Sequence, residues 1–167
     1  HGFGLYYHDC RYVSAYELDL AGHKPTRLVG SGERGYIAMF QFTNLELELG
    51  SGCIQRERIG IKWERLLDGK SLALYDRLLF QNFGLESVEF PVSIRFHAAF
   101  EDIFSVREQR LEESGRIHAP SWEEGRLCFR YEGKDKVHRS LSIYFDPGPD
   151  ACDRAGATFR IALGPRD

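Results

Sequence analysis

Near the start of the chain, His8, Asp9, Cys10 and Arg11 set an imidazole, a carboxylate, a thiol and a guanidinium side by side. Side chains two apart in an extended strand point the same way, so Asp9 and Arg11 can present a matched pair of charges at one rim of a sheet. Such a pair has two readings. It contacts a polar ligand or a partner, as rim loops usually do, or it is a structural salt bridge that ties down the N-terminal end. Tyr6, Tyr7 and Tyr12 flank the charges and add flat apolar surface to either arrangement.

Other constellations carry less. The six histidines, His1, His8, His23, His97, His118 and His138, include no His-x-His and no Glu at ligand spacing from a His pair. Neither a metal site nor a cofactor is expected. Ser31 lies between Gly30 and Gly32, which reads as a flexible loop. A nucleophile elbow would need Gly-x-Ser-x-Gly between a strand and a helix, and a phosphate cradle a following Gly-Lys-Ser/Thr. With 25 acidic residues a glycosidase-like pair can always be drawn, but no acid stands in a setting that marks it as catalytic. Asp76 is the unusual acid, on a face otherwise made of Leu72, Leu74, Leu78 and Phe80. An ion pair with an inward-reaching Arg, or a place at the sheet rim, is its simplest explanation. Gln55-Arg56-Glu57-Arg58 reads as a polar strand facing solvent or a partner. No catalytic residue is assigned.

These residues are positioned by a sequence whose period is two almost throughout. Tyr12, Ser14, Tyr16, Leu18 and Leu20 alternate with Val13, Ala15, Glu17 and Asp19. Tyr36, Ala38, Phe40 and Phe42 share a face, and the phase flips at Thr43-Asn44 to Leu45, Leu47 and Leu49. A flip beside Asn predicts a bulge or a strand changing sheets. Ile59, Ile61 and Trp63 follow, then the hairpin signal Asp68-Gly69, then the Leu72-to-Phe80 face. Val88, Phe90, Val92, Ile94 and Phe96 form the cleanest strand, with Pro91 on its polar face predicting an edge or a bulge. Shorter strands centre on Phe129, Ile143 and Ile161. A polar excursion runs from Glu108 to Glu124, and one helical candidate covers Phe100 to Glu113.

The fold class expected is all-β: an antiparallel two-sheet β-sandwich with few or no helices. At 167 residues the chain fits a single domain, 1–167, large enough to form a core without disulfides or metal. The missing initiator Met and the ending Gly164-Pro165-Arg166-Asp167 suggest a piece of a longer parent chain cut at both ends. A net charge of −3 without a basic stripe argues against nucleic acid as a partner. No apolar run reaches the length of a membrane span. Cys10, Cys53, Cys128 and Cys152 form no Cys-x-x-Cys pair and fit reduced thiols in the cytoplasm.

The stretch from Gly4 to Leu18 resembles the "GLFYRDTRFLSRYEL" opening of the N-terminal domain of bacterial-type glycogen debranching enzymes, the amylo-α-1,6-glucosidase group. In the same order, Gln55 to Arg58 resembles that domain's "RRER", Leu74 to Gly84 its "LYERLTLRNYG" and Phe100 to Arg107 its "FADIFEVR". The resemblance implies a glucoamylase-like N-terminal sandwich, followed in the parent by an (α/α)6 domain that holds the catalytic carboxylates. This chain would then be a non-catalytic accessory domain that packs against that domain and shapes its glucan cleft. Its implied partners are the (α/α)6 domain, with α-glucan as a second candidate. Carried over by position, His8, Asp9, Arg11 and Arg107 are the candidates for the substrate or domain interface. Two departures bear on that transfer. Cys10 stands in place of the family's usual Thr, and His8 in place of a common Arg, which exchanges a permanent cation for a titratable one. The alternative is an independent carbohydrate-binding module, stacking sugars on aromatics such as Tyr7, Tyr36, Trp63 and Trp122.

Overall fold

The computed structural model describes residues 4–50, 52–103 and 115–167. It is built of strands. The first nine are β1 (Leu5–Tyr7), β2 (Cys10–Val13), β3 (Ala15–Leu20), β4 (Thr26–Arg34), β5 (Ile37–Thr43), β6 (Leu47–Leu49), β7 (Gly52–Ile54), β8 (Ile59–Asp68) and β9 (Ala73–Asn82). There follow β10 (Val88–His97), β11 (Glu101–Asp102), β12 (Arg116–Ile117), β13 (Ser121–Glu123), β14 (Arg126–Glu132), β15 (His138–Ile143), β16 (Ala151–Cys152) and β17 (Gly156–Leu163). The protein is all-β, in several sheets whose described registers run antiparallel. Most of the helical candidate at 100–113 lies outside the described residues; within it, Glu101–Asp102 is strand.

The chain divides into two compact units, one of His1–Glu17 with Ser93–Phe159 and one of Leu18–Val92 with Arg160–Asp167. One four-stranded sheet is ordered β16–β17–β10–β3.

The Leu18–Val92 unit is dominated by the sheet β4–β5–β8–β9. Alternation builds its inner face, where Ile59, Ile61 and Trp63 are buried on β8. Phe40 and Phe42 lie 6.4 and 6.1 Å from the Trp63 ring. Phe80 of β9 meets Phe90 of β10 edge-on at 6.2 Å, with Leu18, Leu20 and Val92 also buried in this unit. Each such side chain contributes about 1.5–3 kcal/mol on burial.

The phase flip at Asn44 is a change of sheet: β5 belongs to the four-stranded sheet, whereas β6 pairs only with β7 among the described strands. Buried Asn44 makes the corner with its own amide. Its Nδ2 donates to the carbonyls of Leu45 (2.6 Å) and Gln55 (2.9 Å), and its Oδ1 accepts from Arg58 N (2.9 Å) and Ile59 N (2.8 Å).

Three local expectations need correction. Gly30-Ser31-Gly32 is not a loop but part of β4, where register shifts flank Val29 to Ser31. A Cβ on Gly30 would sit 2.9 Å from Phe40 Cδ1, so glycine there lets the ring pack against the neighbouring backbone. Gln55-Arg56-Glu57-Arg58 is an exposed turn, not a strand, with Glu57 at φ 62° and its N–H bonded to the Asn44 carbonyl. Leu72 does not continue the inner face of β9; it lies in the preceding turn at φ 53° and is exposed. Pro91 is a milder case. β10 is an interior strand of its sheet, but Pro91 lies where β3 has given out, and its carbonyl accepts from Ala21 N at 2.8 Å.

In the other unit, Ile94, Phe96, Leu127 and Phe129 are buried, and Phe145 gathers Phe96, Trp122 and Phe159 within 6.1 Å. The sheet of β12, β14 and β13, with β15 on β14, presents Arg126, Arg130, Ser140 and Ser142 outward by the same alternation that buries Leu127 and Phe129.

Candidate functional site

The charged segment at the N-terminal end is the turn of a hairpin. β1 and β2 pair with Tyr7 opposite Cys10, so His8 and Asp9 are the two loop residues. Both have positive φ, 45° and 58°, the conformation that a two-residue type I′ turn demands and that Asp and His tolerate better than most side chains. This turn breaks the alternation on which an Asp9–Arg11 pairing depends. Arg11 is instead held between strands, opposite Tyr6 on β1 and Glu101 on β11, and its guanidinium pairs with the Glu101 carboxylate. Gly4 makes room for this: a Cβ there would fall 2.8 Å from Arg11 Cδ and 2.3 Å from the Val13 carbonyl oxygen.

Asp9 and His8 are exposed at the tip, which is fixed to the sheet by Ile103 N donating to the Asp9 carbonyl at 2.8 Å. Arg107 lies outside the described residues. Thus His8, Asp9 and Arg11 share one hairpin, but only the first two face solvent, while the Arg11 side chain is largely covered.

Beneath the tip is an aromatic ladder absent from the site reading of the sequence. Tyr7 lies 4.2 Å from the His8 ring and 6.4 Å from Tyr12; Tyr12 meets Phe100 at 5.4 Å; Phe100 stacks on Tyr131 at 5.5 Å and 6°. Arg139 lies 5.9 Å from the Tyr131 ring and grips Asp135 with Nη1 at 3.2 Å and Nη2 at 2.7 Å. Burial pushes the Cys10 thiol above its ordinary range, with the nearby Arg139 charge opposing the shift. Burial likewise raises the Tyr12 phenol, helped by Cys10. A neutral, buried Cys10 packs the hairpin and offers no surface hydroxyl. Glu101, Arg139 and Tyr131 were missed because their roles depend on strand neighbours remote in the chain.

Asp76 has the inward-reaching partner expected of it. It is the register partner of Arg65, whose Nε and Nη2 each lie 2.8 Å from one of its carboxylate oxygens. The Arg65 guanidinium also lies over Trp63, 5.1 Å from the ring centroid.

Of the aromatics named as sugar platforms, Tyr7 and Tyr36 are exposed. Trp63 is buried in the core, and Trp122 is stacked on Phe145 at 5.7 Å with its Nε1 donating to the Asp153 carbonyl. Among the described residues no group of three or more His, Cys, Asp or Glu is arranged to hold a metal, and no helix is long and apolar enough to cross a membrane.

These features define an all-β domain of antiparallel sheets whose N-terminal hairpin carries a fixed polar tip over an aromatic ladder. Residues 1–167 match the family described as the N-terminal domain of (some) glycogen debranching enzymes, and the chain belongs to that family. No curated relative matches the sequence.

Proposed function

We propose that this chain is a non-catalytic accessory domain that packs against an (α/α)6 catalytic domain of the same parent chain and helps shape its glucan cleft. One observation carries the reading. On the outer face of β5–β8–β9, Ile37, Leu66 and Tyr75 are consecutive register partners in one row, 45, 42 and 55% exposed. Tyr36, 49% exposed, lies in the turn just before β5. A row of large apolar side chains in water marks a contact surface. In a family of N-terminal enzyme domains, the rest of the parent chain is the occupant that fits.

In this reading His8 and Asp9, with Arg11 behind them, face the cleft. The finer fold is a two-layer sandwich, supported by the Phe80–Phe90 contact between the β9 inner face and β10. A cytoplasmic setting suits four free thiols. The independent carbohydrate-binding module is the weaker reading, because Trp63 is buried and Trp122 is already stacked on Phe145 with its N–H bonded to the Asp153 carbonyl.

Hydroxyl-radical footprinting of the full-length parent tests the docking face. Once normalised to the intrinsic reactivity of each side-chain type, labelling of Ile37, Leu66 and Tyr75 should be at least several-fold below that of an exposed reference such as Tyr144. Equal labelling of all four would remove the reading.

A further inference from the structure

Tyr144 is 69% exposed, and its surroundings differ from those of the other solvent-facing aromatics. Tyr75 stands in the row of Ile37 and Leu66, which suits a protein contact. Tyr144 stands on the outer face of the β13–β14–β15 sheet, one step beyond the Leu127–Ile143 register pair and next to Arg126. Arg126 Nη1 donates to Tyr144 Oη at 2.8 Å, and its guanidinium carbon lies 5.8 Å from the ring centroid, so the ring is pinned rather than free to sweep.

Around this ring the face is hydrogen-bonding and electrically balanced. Arg130 forks onto Glu123 at 2.6 and 2.5 Å, Ser121 Oγ donates to Glu123 Oε1 at 2.8 Å, and Arg126 pairs with Glu124 at 3.5 Å. Ser140 and Ser142 on β15 project from the same face. Two acids against two guanidiniums leave no net charge to attract an ion. Paired ions still hold unused lone pairs and N–H groups for an incoming hydroxyl. A flat ring edged by donors and acceptors, without net charge, matches a neutral polyhydroxylated ring that has one apolar face. The β13–β14 hairpin makes this array rigid: Glu123 and Arg126 are register partners closed by Glu124 and Gly125, both at positive φ, 49° and 78°.

We infer that this face is a binding platform for an α-glucan chain: Tyr144 stacks on a glucose ring, while Arg126, Arg130, Glu123 and Ser121 exchange hydrogen bonds with its hydroxyls. The choice of α-glucan over other sugars rests on the family reading above. Bond cleavage remains the work of the parent's catalytic domain, and the platform holds the polymer.

The test is affinity electrophoresis of the full-length parent through gels containing glycogen, with wild type, Tyr144→Ala and Tyr144→Phe run side by side. Melting temperature and turnover of a short branched maltosaccharide are measured in parallel. Tyr144→Ala should weaken glycogen binding about tenfold, with melting and short-substrate turnover unchanged, and Tyr144→Phe should keep most of the affinity. Unchanged glycogen retention in Tyr144→Ala overturns the platform. So does unchanged retention with a lowered melting temperature, which would mean that another part of the protein covers the ring. A wild-type parent that binds glycogen through Tyr144 yet debranches nothing would instead sink the enzyme reading and leave the platform standing.

Discussion

Asp76 stands on the inner face of β9 between Leu74 and Leu78, where an unpaired carboxylate would be costly. The Arg65 fork resolves it, since paired charges satisfy each other's hydrogen bonds. Glu123 shows the same fork on an exposed face. The guanidinium of Arg130, then the Ser121 hydroxyl, hold its carboxyl down to about 2 from an ordinary 4.5. A depressed carboxyl stabilises the fold above its unfolded value, and that contribution fades as pH falls from about 4.5 through about 2. Solvent screens this surface pair, so its effect is better read locally. Carbon-13 NMR of the Glu123 carboxyl should titrate near 2 in the wild type and move part of the way back toward 4.5 in Arg130→Met. A wild-type midpoint at the ordinary value would show that the fork does not persist in solution.

At the scale of elements, the corner after β5 depends on Asn44. Its amide serves two carbonyls and two N–H groups at once, so the chain can leave one sheet and enter another without orphaned backbone. Asn44→Asp keeps shape and volume but turns both donors into acceptors facing carbonyls. It should cost about 3 kcal/mol, seen as a lowered urea midpoint; an unchanged midpoint would mean that the corner is held elsewhere. Asn82 is a second such node, fully buried, donating to the carbonyls of Glu86 (2.7 Å) and Gly164 (2.8 Å) and accepting from Gly84 N. The phase flip announced the first corner. No periodicity marks the second, because one of its partners, Gly164, stands 82 residues away.

For the whole molecule, the question is whether the hairpin tip reaches the glucan. Asp9 lies in the left-handed region, where Asn is at least as comfortable as Asp, so Asp9→Asn removes charge without straining the turn. In the full-length parent this variant should lower glucan turnover about tenfold, the worth of a charged hydrogen bond, with an unchanged melting temperature. Intact turnover with a lowered melting temperature would make the tip a structural tie only.

The alternating pattern marked most of the longer strands and their buried faces, and offered a change of sheet at Asn44 as one of two readings, because burial on one side of a pleat imposes a period of two wherever it occurs. The motifs from Gly4 to Arg107 led to the family for a similar reason: they keep local spacing. Which charges meet was decided only by tertiary structure. Asp9 and Arg11 are neighbours in the chain but diverge across a tight turn, whereas Arg11 and Glu101 are far apart and share a register position. Tyr144 is equally invisible in one dimension: nothing in its flanking residues distinguishes an exposed, pinned ring from a core one. Strand pairing brings Arg126 beside it and leaves its other face to solvent.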